Sequence, residues 1–222
     1  MNAAAISPLF PGPILLLAAA PTQFRWYFAG QTVSQLGSSM APGALALAVL
    51  DASAQAGDLG LVPAARILPM LGSMLIGGVV ADRLPRRLIL VTANLGSALT
   101  QGAIAVLLLT GHYAAWPIAG LGLLNGVLGA FTSPALRGLL PELVAKGGLQ
   151  ATNALLGTVK NGIKVFGPAL SGVLVVAADG GMAIVLDALT YLLAAVFLAR
   201  PPPSGRIATR GRRHFARDPR EG

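Results

Sequence analysis

Apolar residues fill six long stretches of this chain, and polar residues are confined almost entirely to the gaps between them. The stretches run Trp26–Leu50, Leu59–Ala81, Leu88–Thr110, Trp116–Leu136, Leu155–Ala177 and Gly181–Ala199. Each is close to the ~20 helical residues needed to cross a hydrocarbon core of ~30 Å. Backbone amides and carbonyls in lipid must be satisfied within the segment, which favours helices. No stretch shows the period-two alternation of a barrel strand. The pattern therefore predicts an all-α membrane protein with six transmembrane helices. Small residues in "GSMLIGG" allow helices to approach closely. The connections are short except for the one between the fourth and fifth stretches, "RGLLPELVAKGGLQAT", whose amphipathic look suits the interface.

Composition agrees with a lipid solvent. The 222 residues are 55% hydrophobic and 11% charged, with mean hydropathy +0.72, against ~25% charged in soluble domains. Cysteine is absent, which removes disulfides and thiolate metal sites. The net charge of +8 raises the question of nucleic acid, and its placement answers it. The loops after the first, third and fifth stretches carry no Lys or Arg and hold Asp51, Asp58 and Asp179. The opposite ends carry Arg25, then Arg83, Arg86 and Arg87, then Arg137 and Lys146, then the arginine-rich tail. The positive-inside rule puts both termini in the cytoplasm of a multi-pass cell (inner or plasma) membrane protein.

Three regions follow: an N-terminal cytoplasmic segment 1–24, a six-helix domain 25–200, and a basic disordered tail 201–222. "LFPGPILLLAAA" is apolar like a signal peptide, but no basic residue precedes it and Pro11 and Pro13 break it. The tail has no aromatic interleaving for nucleic acid, and attraction to anionic headgroups at ~1 kcal/mol per basic residue accounts for it. Enzyme chemistry finds no footing. His112 and His214 have no partners at metal-ligand spacing. No phosphate loop or nucleophile elbow is present, so no catalytic residue, metal ligand or organic cofactor is expected.

The stretch "GGVVADRLPRRLIL", Gly77 to Leu90, places one acid and three arginines in a tight turn. It resembles the signature loop of the major facilitator superfamily, with Gly78, Asp82, Arg83, Arg86 and Arg87 filling the pattern and Pro85 standing where many members have glycine. "GQTVSQLGSSM", "LVPAARILPM", "TSPALRGLLPELV" and "NGIKVFGPALSG" resemble the first, second, fourth and fifth helices of its drug- and siderophore-exporting branch. The last includes the helix-packing motif Gly167-Pro168 followed by Gly172. The resemblance spans roughly Arg25 to Ala199 and corresponds to the N-terminal half of a carrier, itself a 3+3 inverted repeat. It implies alternating access, proton-coupled efflux of small amphipathic compounds, and Asp82 as a latch against a helix end of a second half. Arg86 and Arg87 are expected to face anionic headgroups and set topology.

After Arg200 no second set of apolar stretches follows. Two classes of function therefore stand: a half-transporter working with a second six-helix half or with its own copy, and a non-transporting membrane fragment with a scaffold or partner-binding role. Charges inside spans cost ~2.5–3.5 kcal/mol near the bilayer centre, which marks Arg66, Lys160 and Lys164 as candidates for a substrate and proton pathway. Arg66 and Lys164 are expected to line a cavity or else to be held by buried carbonyls; Lys160 can snorkel to the interface. Asp187, the one acid inside a stretch, is the candidate carrier of a coupling proton, or a hydrogen-bonding partner for a neighbouring helix. Gln31 and Ser34 offer polar contacts to substrate or to packing. Pro69 is expected to kink the second helix.

Overall fold

The computed structural model describes residues 21–52, 56–81, 85–144 and 148–200. They form six helices: α1 (Thr22–Ala52), α2 (Ala56–Ala81), α3 (Arg86–Leu109), α4 (Ala115–Leu143), α5 (Leu149–Ala178) and α6 (Gly180–Ala199). No strand occurs among the described residues. The tail, most of the N-terminal segment, Asp82, Arg83 and Lys146 lie outside the described residues. Five helices, α1 and α3 to α6, are long and apolar enough to cross a membrane among the described residues.

The expected long connection between the fourth and fifth stretches is a correction. α4 runs on to Leu143 and α5 starts at Leu149. The amphipathic pattern that suggested an interfacial segment is that of two helix ends. Leu140 packs into an apolar cluster with Phe24, Tyr27, Ile89, Leu90, Ala135 and Leu198, and Leu143, Leu149 and Leu156 lean against it. Pro141, near the end of α4, has no N–H to bond the carbonyl four residues back.

That cluster joins the start of α1, α3 and α5 to the end of α4 and α6, so it marks one end of an up-and-down bundle. A second cluster marks the other end: Ala44, Leu45 and Val49 of α1, Val62 of α2, Ile104 of α3, Ile118 of α4 and Ile184 of α6. Charges divide between the two ends. Arg25, Arg86, Arg87, Arg137 and Arg200 lie by the first cluster's helix ends, and Asp58 and Asp179 by the second's. At the first end the Arg200 guanidinium stacks 3.9 Å above the Trp26 ring, which ties the start of α1 to the end of α6. At the second, Asp179 is the N-cap of α6 and accepts from Gly181 N at 3.0 Å, as a carboxylate at a helix N-terminus should.

The closest pairings are α1 with α6, α2 with α4 and α3 with α6, followed by α3 with α4 and α1 with α5. Small residues set the α1 contacts. A Cβ on Gly37 would collide with Thr190 and Asp187 of α6, and one on Gly167 of α5 would collide with Ser39. One turn further on, buried Ser171 donates to Met40 O at 2.9 Å. The predicted packing motif is thus carried by Gly167 and Ser171. Gly172 has nothing within 4 Å of its Cβ position, because it points away from α1.

Candidate functional site

Between the two apolar clusters lies a layer of polar side chains that lipid-facing positions could not hold. α3 supplies a buried stripe, Asn94, Ser97, Thr100 and Gln101, at the three- and four-residue spacing of one helix face. Ser34 of α1 donates to Asn94 Oδ1 at 3.3 Å, while Asn94 Nδ2 donates to Leu90 O at 2.7 Å. Asn125 of α4 donates to Thr100 Oγ1 at 3.2 Å. Asp187 of α6, 1% exposed, accepts at Oδ2 from Gln101 Nε2. Thr190 and Tyr191 follow on the same helix, and the Ser38 and Tyr191 hydroxyls bond at 2.8 Å.

Arg66 reaches this layer from α2, where its guanidinium interacts with the Tyr191 hydroxyl and electrostatically with the Asp187 carboxylate. Arg66 Nη1 and Asp187 Oδ1 are both buried with no hydrogen-bond partner. A buried charge left incompletely bonded is costly. The two opposite charges partly offset each other; Asp187 Oδ1 keeps an acceptor position open to a proton or a water, and Arg66 Nη1 keeps a donor open to a water.

A cavity of about 470 Å³ opens beside this layer, between α1, α4 and α5. Its lining mixes apolar groups (Leu136, Leu140, Leu156, Val159, Ile163) with amides and hydroxyls from Gln31, Thr32, Gln35, Ser133 and Asn153, and with the cations Arg137 and Lys160. Pockets for organic molecules have this character, an apolar wall with a few converging polar groups, at this size.

The sequence candidates separate on this geometry. Gln31 and Lys160 line the cavity. Ser34 turns to α3 instead. Arg66 is not a lining residue, because it is drawn to the carboxylate and hydroxyl on α6. Lys164, exposed like Lys160 and one turn from it, is not a lining residue, because the wall there ends at Ile163. Asp187 is held by the neighbouring α3. Gly78 sits in the last turn of α2, with its surroundings, like Asp82 and Arg83, outside the described residues.

Arg86 and Arg87 turn inward. Arg86 Nη1 donates to Gly138 O of α4, and Arg87 Nε donates to Leu198 O at 2.7 Å in the last turn of α6. A side chain on Gly138 would occupy the space of the Arg86 guanidinium. At Arg87 the orphan Leu198 carbonyl and the negative end of the α6 dipole favour a cation. The expectation that these arginines face headgroups gives way to a bond to α4 for Arg86 and helix-end capping for Arg87.

Gln101, Tyr191 and Ser38 were missed by sequence reasoning, as were Gln35, Arg137 and Asn153. The α3 stripe was a readable signal, since four polar residues at helical spacing in an apolar span must face protein. The cavity residues had no such signal, being scattered over three helices.

Residues 17–210 match the family of transmembrane secretion effectors within the major facilitator superfamily. The chain belongs to that family. It is therefore a multi-pass membrane protein of a transporter family. It is 29% identical over 171 residues to the uncharacterized MFS-type transporter YfiS of Bacillus subtilis (strain 168), covering 77% of this chain and 40% of the relative. It is 34% identical over 138 residues to the multidrug efflux pump Tap of Mycolicibacterium fortuitum, covering 60% of this chain and 34% of that protein. The chain thus spans less than half the length of either relative.

Proposed function

We propose that this chain forms the N-terminal half of a proton-coupled exporter of small amphipathic compounds that works by alternating access. The observation that carries this reading is the cavity between α1, α4 and α5, whose mixed apolar and hydrogen-bonding wall suits such compounds. The pairing of helices supports a 3+3 repeat: exchanging α1–α3 for α4–α6 turns α1–α6 into α4–α3 and α1–α5 into α4–α2. α2 completes the membrane domain as a sixth span in this reading. The arginine-bearing end of the bundle is cytoplasmic.

A second six-helix half, or a second copy, closes the open side of the cavity. In support, α5 presents Val165, Phe166 and Val173 without cover, and both relatives are longer than the match. Asp82 then latches against a helix end of that second half, with Arg86 and Arg87 bracing the same turn from inside. Asp187 carries the coupling proton, with Arg66 and Tyr191 as the charged and titratable groups facing it. A proton on the carboxylate frees Arg66, and that change in pairing biases one packing of α2 against α6 over another.

Efflux of Nile red from cells making this protein tests the reading. The chain lowers dye accumulation, a protonophore abolishes the effect, and Asp187→Asn abolishes it when efflux is normalised to protein in the membrane. Accumulation equal to that in empty cells, with the protein present in the membrane, sinks it.

A further inference from the structure

The cavity's charge is one-sided. Arg137 enters from α4 and Lys160 from α5, and no carboxylate is among the described lining residues. Both side chains are exposed and neither makes an ion pair with any described residue, whereas Arg66 has Asp187 opposite it, Arg86 bonds Gly138 O and Arg87 bonds the end of α6. The neutral polar groups nearby are amides and hydroxyls, all able to donate: Gln31, Gln35 and Asn153 through their NH₂ groups, Thr32 and Ser133 through O–H. Leu136, Leu140, Leu156 and Ile163 form an apolar floor.

Topology alone accounts for basic residues at this end of the bundle. It does not account for two of them converging from facing helices on one pocket that has no acid of its own. Water is partly displaced there by apolar wall, so the two positive charges raise the local concentration of anions and hold them more strongly than at an open surface. We infer that the ligand of this cavity is an amphipathic organic anion, its carboxylate, sulfonate or phosphate between Arg137 and Lys160 and its apolar body on the leucines. The inference deepens the exporter reading and rests on it for the statement that the cavity holds the substrate.

The test uses the full chain in nanodiscs of zwitterionic phosphatidylcholine, with empty nanodiscs subtracted. The probes share one apolar body and differ in charge: pyrenebutyrate, pyrenebutanol and pyrenebutylammonium. Pyrenebutyrate binds about tenfold more tightly than pyrenebutanol, the low end for hydrogen bonds to charged groups, and pyrenebutylammonium binds most weakly. Raising salt shrinks the preference. Arg137→Gln with Lys160→Gln brings pyrenebutyrate affinity down to that of pyrenebutanol; Arg137→Lys retains the preference. Should the double variant fail to elute as a single species in size exclusion, Lys160→Gln alone takes its place and loses part of the preference. Equal binding of all three probes, or tightest binding of the ammonium, overturns the anion assignment and leaves the cavity as the substrate site. Binding of none of the probes above empty nanodiscs overturns the cavity reading as well.

Discussion

The buried layer at mid-bundle and the cavity beside it draw on the same helix yet satisfy their polar groups in opposite ways. α1 gives Ser34 and Ser38 to the layer, where each has a named partner on α3 or α6, and Gln31 and Gln35 to the cavity, where they face open space. The layer sets opposite charges near one another, Arg66 and Asp187; the cavity leaves Arg137 and Lys160 without a described counter-charge. Paired polar groups fix one packing of helices, while unpaired ones wait for a ligand. The layer is thus the part whose loss should cost stability, and the cavity the part whose loss should cost binding alone.

The sharpest way to break that comparison is at the charges of the layer. Arg66→Ala leaves the buried Asp187 carboxylate with Gln101 as its described donor and should destabilise by about 1–3 kcal/mol. Asp187→Ala strands the guanidinium at similar cost. The double variant should cost clearly less than the sum, since neither charge is then uncompensated. Thermal unfolding of the detergent-solubilised protein measures all three. Additive losses would show that the two charges do not depend on one another, and the layer would lose its claim to be a pair.

Similar in size are the effects at the close approaches that hold the layer shut. Gly37→Val drives a side chain into Thr190 and Asp187 and should cost roughly 1–3 kcal/mol or more. Gly172→Val, with open space at the Cβ position, should stay within about 0.5 kcal/mol of wild type. The same melts decide both. If Gly172→Val proves the worse, the α1–α5 contact runs through Gly172 after all.

These cases also show what was legible in the sequence. Lipid imposes a length and forbids unsatisfied backbone, so the positions of the helices follow from hydropathy with little help from packing. α3's polar stripe was equally readable in principle, as Asn94, Ser97 and Gln101 recur at helical spacing. Which polar groups meet across helices was not, because it depends on rotation and depth. Arg66 was expected beside Lys164 in a cavity, and it instead faces Asp187. Arg86 and Arg87 illustrate the same limit: their number and side follow from charge bias, but their destinations come from packing, Arg86 from the space left beside Gly138 and Arg87 from where α6 ends.

Those two arginines carry a smaller prediction. Arg87→Gln removes the cation from the last turn of α6 but keeps a hydrogen-bond donor, so it isolates the charge. A favourable charge at a helix C-terminus is worth about 0.3–1 kcal/mol when exposed and up to ~2 when partly buried, and Arg87 is half-buried with Nη2 enclosed. A loss near the upper figure, weakly dependent on salt, fits helix-end capping. No change in stability together with inverted or mixed membrane orientation in reporter fusions would return Arg87 to a purely topological role.

The smallest effect is expected at Lys164. It is exposed, one turn beyond Lys160 and past the end of the cavity wall, so Lys164→Leu should shift stability by no more than about 0.5 kcal/mol and leave pyrenebutyrate binding unaltered. Lys160→Leu, a change of identical chemistry four residues earlier, should weaken that binding by about threefold, part of the tenfold preference, with equally little effect on unfolding. The pair isolates position from charge, since both variants lose one unit of positive charge from the same helix. If Lys164→Leu weakens binding as much as Lys160→Leu does, the general positive field of α5 attracts the anion, and the cavity's particular geometry has no part in choosing it.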